Sequence, residues 1–160
     1  MTISLLRTTS DHADFIALVK LLDTYLAIID GAEHAFYAQF NTITQLKNVV
    51  VAYKDGEAVG CGAFKSLDKH TIEIKRMFVK EEARGQKIAS QVLTELEHWA
   101  EEFDFKKFVL ETGNRQNAAI ALYHKMGYQI IPNYGQYIGV ENSICFEKKI
   151  PHNTPSLPKH

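Results

Sequence analysis

The sequence predicts a single α+β domain built on a mostly antiparallel sheet, and three observations support this. Strand-like apolar runs flank the turn Asp55-Gly56, a dipeptide that strongly favours a β-hairpin. A long amphipathic helix follows, from about Arg84 to Phe103, with apolar residues three or four positions apart. No repeat or linker interrupts the 160 residues, a length typical of one domain.

The part of the chain before the hairpin is predicted to form one strand and two helices. Ile3 to Arg7 is the first strand. Asp11 is the candidate N-cap of a helix that runs to about Ile29 and is broken by Gly31. A weaker helix is predicted from Ala32 to Phe40.

Six further strands and one more helix complete the prediction. The strands span residues 48–53, 58–66, 71–79, 107–112, 128–131 and 143–149. The helix runs from about Gln116 to Lys125 and ends at Gly127, the residue type preferred just after a helix. We therefore expect a domain over residues 1–150. Residues 151–160, with three prolines, are expected to form a flexible C-terminal tail.

Composition limits the classes of partner. The formal net charge is −1, with 46% hydrophobic and 23% charged residues, which is typical of a globular protein and argues against a general nucleic-acid binder. No apolar stretch reaches membrane-spanning length and no leader-like segment begins the chain, so a cytoplasmic location is expected. Cys61 and Cys145 are expected to be buried, reduced thiols. Without CxxC or HExxH patterns, no metal is expected.

The junction at residues 79–89 is the most informative segment. It joins an apolar strand to the amphipathic helix, and free N–H groups at a helix start beside Arg84 and Gly85 favour a phosphate or pyrophosphate. The chain lacks GxxxxGK[ST], and its antiparallel meander argues against a dinucleotide fold. Five basic residues cluster around the junction and indicate a patch for a small polyanion: Lys75, Arg76, Lys80, Arg84 and Lys87.

A second motif lies downstream, and the two together, in this order, resemble the GCN5-related N-acetyltransferase (GNAT) family over roughly residues 3–150. Arg84 and Ala89 match the first and last positions of that family's Gln/Arg-x-x-Gly-x-Gly/Ala motif. The second motif, Asn-x-x-Ala-x-x-Leu-Tyr-x-x-x-Gly-Phe/Tyr, is matched by Ala119, Leu122, Tyr123, Gly127 and Tyr128. The resemblance implies a mixed, mostly antiparallel sheet of six to seven strands with about four helices on its two faces.

Two residues depart from the family's pattern. Lys87 occupies the usual central glycine of the first motif. We expect ordinary helical dihedral angles there, which would allow a Cβ and let the ammonium assist phosphate binding. If glycine is required for close approach, the pyrophosphate must shift or bind more weakly. Gln116 replaces asparagine in the second motif and retains a donor and an acceptor.

The resemblance implies acetyl-CoA as co-substrate, with its pyrophosphate on the N–H groups of residues 85–89. It also implies two central strands that splay apart, so that Met77, Phe78 and Val79 bind the pantetheine like an added strand, one N–H polarising the thioester carbonyl. Ile72, Ile74 and Phe78 would bury the strand on the core. The complete predicted cofactor set is Met77, Phe78, Val79, Arg84, Gly85, Gln86, Lys87, Ile88, Ala89, Gln116 and Tyr123.

The same resemblance assigns the acid and leaves the base open. Tyr123 is the predicted acid that protonates the departing thiolate, because a phenol with a pKa near 10 and the thiolate have similar basicity. Glu73 and Glu111 are candidate bases or ligands of the substrate ammonium. A surface ion pair remains an alternative for Glu73, and a structural hydrogen-bond acceptor for Glu111.

The acceptor site is predicted from the first helices and the loop before the last strand. Its candidate residues are Tyr25, Phe36, Glu111 and Tyr137, with Tyr134 to Gln136 in the same loop and His34 and His124 as weaker candidate bases.

The predicted function is N-acetyl transfer by direct attack, from acetyl-CoA to the amine of a small molecule, an amino acid or a protein N-terminus. The alternatives are a non-catalytic acyl-CoA-binding or regulatory module on the same fold, or a small-molecule-binding domain without CoA. Neither nucleic acid nor membrane is expected as a partner. An exposed edge on the last strand leaves a homodimer open.

Overall fold

The computed structural model describes residues 2–30 and 45–150, which form one seven-stranded sheet with the order β1-β2-β3-β4-β5-β7-β6. Every predicted strand is present, with ends within one residue of the prediction. The strands are β1 (Ile3–Thr8), β2 (Asn48–Lys54), β3 (Glu57–Ser66), β4 (Thr71–Val79), β5 (Lys107–Gly113), β6 (Gln129–Ile131) and β7 (Ser143–Lys149).

The described residues include three α-helices: α1 (Ala13–Asp30), α2 (Ile88–Glu102) and α3 (Asn117–Lys125). Two short 3₁₀ turns cover Glu81–Ala83 and Gly135–Tyr137. The helix predicted over Ala32 to Phe40 and the tail from Pro151 lie outside the described residues. The mixed sheet with helices on both faces confirms the predicted fold class.

Two predicted helix starts were wrong. The helix expected from Arg84 begins at Ile88, because residues 84–87 form a turn. The first helix is capped by His12 and not by Asp11: the Asp14 N–H donates to His12 Nδ1 at 3.1 Å. An imidazole nitrogen thus accepts the hydrogen bond that a carboxylate was expected to take.

All strand pairs are antiparallel except β4 with β5, which run parallel. That pairing covers only Thr71–Glu73 against Lys107–Val109. Beyond Glu73 the two strands separate, while β5 stays paired with β7 along its whole length. The centre of the sheet therefore opens toward the end of β4, as the resemblance implied.

The sheet has an apolar core on each face. One core packs β2–β5 and β7 against α2 and α3, and includes Ile72, Ile74 and Leu96. The other packs β2–β4 against α1 and includes Phe78. The prediction that Phe78 shares a core with Ile72 and Ile74 was wrong.

A β-bulge explains the position of Phe78. Gly62 on β3 faces two residues of β4, Arg76 and Met77, between the pairs Cys61–Phe78 and Ala63–Lys75. Arg76 has φ +60°, and its carbonyl accepts the Cys61 thiol at 3.4 Å. Because a bulge adds one residue, the side chains after it exchange faces.

The two cysteines agree with the predicted reduced state. Cys61 and Cys145 are free and buried, which confirms the predicted thiols. Within residues 2–30 and 45–150, no helix is both long enough and apolar enough to cross a membrane.

Candidate active site

The junction before α2 is a loop that contains two residues with positive φ. Gly85 has φ +79°, and Lys87, the N-cap of α2, has φ +64° and ψ +21°. Lys87 is therefore left-handed, and the expectation of ordinary helical dihedral angles was wrong. No backbone N–H of residues 85–90 donates to another group in the described ranges, and the next one, Gln91 N–H, bonds to Lys87 O. The free donors and the helix dipole together favour an anion.

Arg84 holds the junction against α1. Its Nε donates to Val79 O at 3.0 Å, and its guanidinium lies 4.9 Å from the ring centroid of Tyr25. A stacked and hydrogen-bonded arginine has fewer conformations open to it. The turn that precedes the free N–H groups is therefore held to both β4 and α1.

The free N–H groups open into a cleft of about 430 Å³ between β4, α2 and α3. Its size lies in the range of ligand pockets. The walls include ten of the eleven predicted cofactor residues; Gln86 is absent from them, and its side-chain oxygen is buried. The lining residues in that set are Met77, Phe78, Val79, Arg84, Gly85, Lys87, Ile88, Ala89, Gln116 and Tyr123.

The basic residues predicted to form one patch separate in the structure. Arg84 and Lys87 line the large cleft, but Lys75 and Arg76 line a second cavity. Lys80 faces Glu57 at 3.4 Å. The large cleft therefore has two of these five cations in its wall, fewer than their closeness in the sequence had suggested.

The second cavity, of about 100 Å³, lies where β4 and β5 separate, and it joins the large cleft through a shared wall. The shared residues are Leu22, Met77, Gln116, Ala119 and Tyr123. Of these two compartments, only the small cavity is lined by Glu73, Lys75, Glu111, Tyr137 and Arg76, and Arg76 also lines a third cavity beside α1. The molecule thus has two adjoining compartments, one beside the free N–H groups and one with ionisable walls.

Glu73 is a buried group of the small cavity, 2% exposed. The Tyr134 hydroxyl donates to its Oε2 at 2.7 Å, and Lys75 Nζ lies 3.9 Å from its Oε1. The alternative of an ion pair with Lys75 is therefore confirmed, but the pair is buried and not at the surface. Burial and the Glu73 carboxylate raise the pKa of Tyr134 well above its usual range, so its hydroxyl stays a donor.

Glu111 stands across the cavity on β5. Its Oε2 accepts the Ser143 hydroxyl at 2.6 Å, as the structural alternative anticipated. The carboxylate also faces Tyr137, whose pKa rises through burial and the nearby Glu111 and Glu73 charges. Because Glu111 is half-buried and lines the cavity, its structural hydrogen bond does not remove it from the wall.

Tyr123 lies between the two compartments on α3. It is 5% exposed and packs against Tyr128 and Phe146, with ring centroids 5.8 and 5.7 Å away. Burial, and secondarily the Glu111 charge, raise its pKa well above 10. The phenol therefore stays protonated at neutral pH, but it is a weaker acid than the near-matched group expected from sequence.

The other acceptor predictions were mixed. Tyr25 lines the large cleft and not the small cavity. Phe36 and His34 lie outside the described residues. His124 lies on α3 against Phe146, at 5.3 Å between ring centroids, and lines neither compartment.

Sequence reasoning did not place Lys75 and Arg76 in the wall of the small cavity, and it did not anticipate the hydrogen bond from the predicted loop residue Tyr134 to Glu73. Charged residues in an apolar strand next to Glu73 were the available signal for the two cations. Among the residues that the structure describes, no group of three His, Cys, Asp or Glu side chains could hold a metal.

Comparisons with known proteins agree with this geometry. Residues 16–128 match the model of the acetyltransferase (GNAT) family. An IAA acetyltransferase of Azospirillum brasilense is 33% identical over 137 residues, which are 84% of this chain and 90% of that protein.

Solved structures show the same fold. A Klebsiella pneumoniae protein assigned as an acyl-CoA N-acyltransferase superposes with a TM-score of 0.79 at 30% identity, covering 93% of this chain and 98% of that one. A GNAT family acetyltransferase of Elizabethkingia anophelis, with acetyl-CoA bound, gives a TM-score of 0.65 at 22% identity, covering 92% and 98%. The chain therefore belongs to the GNAT family of acetyltransferases and is an acyltransferase with acetyl-CoA as its co-substrate.

Proposed function

We propose that the protein acetylates the amine of a small molecule, an amino acid or a protein N-terminus by direct attack on the acetyl group. The observation that carries the proposal is Tyr123, the one titratable side chain in the wall shared by the cleft and the small cavity in the described ranges. Acetyl-CoA supplies an activated thioester, and the cavity with ionisable walls supplies a place for the amine.

The large cleft fits the phosphate end of the co-substrate. The free N–H groups of residues 85–90 would take the pyrophosphate, with Arg84 and Lys87 on the cleft wall. Among the strands that the structure describes, none pairs with β4 beyond Glu73 on the β5 side, which leaves main-chain groups near Met77 for an extended ligand. An N–H at this edge would stabilise developing negative charge on an acyl oxygen.

The carboxylates prepare the amine. Glu111 and Glu73 favour an ammonium ion in the small cavity by their charge. The amine must lose a proton before it attacks. Either carboxylate would take that proton directly or through a water, and both already accept a hydroxyl that fixes their orientation.

Tyr123 would donate a hydrogen bond, and then a proton, to the departing sulfur. Its raised pKa makes complete proton transfer to the sulfur uphill while the Glu111 charge acts on the phenol. An ammonium ion beside Glu111 would offset that carboxylate's effect on the phenol. Substrate binding would thus strengthen the acid that the reaction needs.

The test compares Tyr123→Phe with wild type over a panel of amines, following thiol release, and measures CoA binding by calorimetry. We expect CoA affinity to change by less than about threefold, and kcat to fall about 10²- to 10⁴-fold, the usual contribution of a general acid. Tyr53→Phe is the matched control, because its hydroxyl bonds to Asp14 and it lines neither compartment.

Two results would contradict the proposal. Tight CoA binding with no amine acetylated would favour the non-catalytic acyl-CoA module. Equal kcat in Tyr123→Phe and wild type would remove Tyr123 from the chemistry. The left-handed Lys87 is the observation that keeps the non-catalytic alternative in the comparison.

A further inference from the structure

The small cavity carries a balanced set of charges. Two carboxylates, Glu73 and Glu111, and two cations, Lys75 and Arg76, line it. Glu73 and Lys75 are two residues apart on β4 and therefore point to the same face. A cavity that served only to attract an ammonium ion would not need buried cations, since like charges repel it.

Lys75 is the most informative of these groups. Its side chain is 13% exposed, and its nearest carboxylate oxygen, Glu73 Oε1, is 3.9 Å away, beyond hydrogen-bond distance. Within residues 2–30 and 45–150 the Lys75 ammonium makes no hydrogen bond. The other oxygen of Glu73, Oε2, accepts the hydroxyl of Tyr134. A largely buried ammonium that has no protein acceptor must find its acceptors in water or in a ligand. A carboxylate of a ligand in the small cavity would supply such an acceptor.

Arg76 reaches the same cavity because of the β-bulge. Its side chain is 6% exposed, and its Nη1 lies 3.6 Å from Asp23 Oδ1 on α1. The residue has φ +60°, a conformation that costs about 1–2 kcal/mol for a residue with a side chain. The bulge thus brings a guanidinium, the group best suited to carboxylates, to the cavity wall.

We propose that the acetyl acceptor carries a carboxylate as well as its amine, with the ammonium facing Glu111 and the carboxylate facing Lys75 and Arg76. This inference rests on the proposed function and names its substrate class. The orientation follows from the cavity walls: Glu111 lies on β5 and shares the cavity with Tyr123, whereas both cations lie on β4, so the amine end belongs beside Glu111. An amino acid or a compound of similar charge pattern fits, whereas a diamine would place its second cation against Lys75.

The experiment uses matched pairs of acceptors: an amino acid, the primary amine that lacks its carboxylate, and the amino-acid amide. We measure kcat/KM for each with acetyl-CoA, and the binding of each to the protein–CoA complex by calorimetry. For wild type we expect the carboxylate-bearing member to be preferred about tenfold to a hundredfold, the range of a charge-assisted hydrogen bond.

Lys75→Met keeps the length of the side chain and removes its charge. It should lose most of that preference, because kcat/KM should fall more for the amino acid than for the amine that lacks a carboxylate. Lys65→Met is the control, because Lys65 is exposed and lines neither compartment. Burial lowers the pKa of Lys75, so the preference should decline as pH rises through that pKa, below the ordinary 10.5.

The outcomes separate the two proposals. Equal acetylation and equal binding of both members would overturn this inference and leave the acetyltransferase function standing. No acetylation of any amine, with carboxylate-selective binding that Lys75→Met abolishes, would overturn the proposed function and the acceptor role, and would support the cavity only as a carboxylate-binding site. A preference that survives in Lys75→Met would also overturn the role given to Lys75.

Discussion

Replacing Lys87 with glycine should stabilise the protein and weaken its binding of CoA. Lys87 has φ +64°, where a Cβ crowds the backbone at a cost of about 1–2 kcal/mol. Glycine removes that strain but gives the unfolded chain more freedom, at about 0.5–1 kcal/mol. The net gain is about 0.5–1 kcal/mol, because the exposed lysine makes no ion pair in the described ranges.

That gain is measurable by thermal unfolding. For a chain of this length, 1 kcal/mol corresponds to a shift in Tm of about 2–4 °C, so Lys87→Gly should melt about 1–4 °C higher. Binding should change in the opposite direction. The lysine lines the cleft beside the free N–H groups, and loss of one exposed cation should cost about 0.5–1 kcal/mol, a two- to fivefold weaker affinity for CoA at low salt.

Lys87→Ala separates the two effects, since it removes the charge but keeps the left-handed Cβ. We expect Lys87→Ala to bind CoA as weakly as Lys87→Gly and to melt no higher than wild type. Calorimetry at low and high salt should show the difference between wild type and the variants shrinking as salt screens the charge. Equal melting of the alanine and glycine variants would refute the strain argument. Tighter CoA binding by tenfold in Lys87→Gly would show that the lysine obstructs the site.

Three further predictions concern the supporting structure. Gly62→Ala should lower the free energy of unfolding by about 1–3 kcal/mol in denaturant titrations, because its Cβ would lie 2.5 Å from Met77 Sδ; an unchanged midpoint would contradict this. Cys61 should resist alkylation at pH 8 until urea unfolds the chain, because burial raises its pKa to about 12 and leaves about one thiolate in 10⁴; rapid native labelling would refute it. Tyr128→Phe should lower the free energy of unfolding by about 1.5–3 kcal/mol in the same titrations, since the Tyr128 hydroxyl donates to buried Glu97 at 2.7 Å. Unfolding at the wild-type denaturant concentration would contradict this prediction.

The strands and the C-terminal ends of the described helices could be predicted from sequence because their signals are local. The Asp55-Gly56 turn and the alternation of apolar residues set β2 and β3 to within one residue. The positive φ of Gly127 likewise follows from its place after α3. These features depend on neighbours in the chain, so a single sequence contains them.

A positive φ at a non-glycine residue could not be predicted from such local signals. Lys87 and Arg76 are both left-handed, yet neither is a residue type that favours that region. Their conformations follow from tertiary demands: a tight loop before α2, and a strand that must leave its neighbour. The same gap explains the misplaced charge of Arg76, since its direction depends on where the bulge interrupts β4.

The bulge on β4 connects the two compartments of the site. Up to Glu73, β4 pairs with β5; within the next few residues the extra residue at Arg76–Met77 changes the facing of the chain, and the strands separate. Met77 thereby enters the wall that both compartments share, and Arg76 enters the wall of the small cavity. Gly62 makes this possible, because any larger residue opposite the bulge would collide with Met77. The strands thus separate after Glu73, and one inserted residue three positions later decides which side chains of β4 reach the walls of the two compartments.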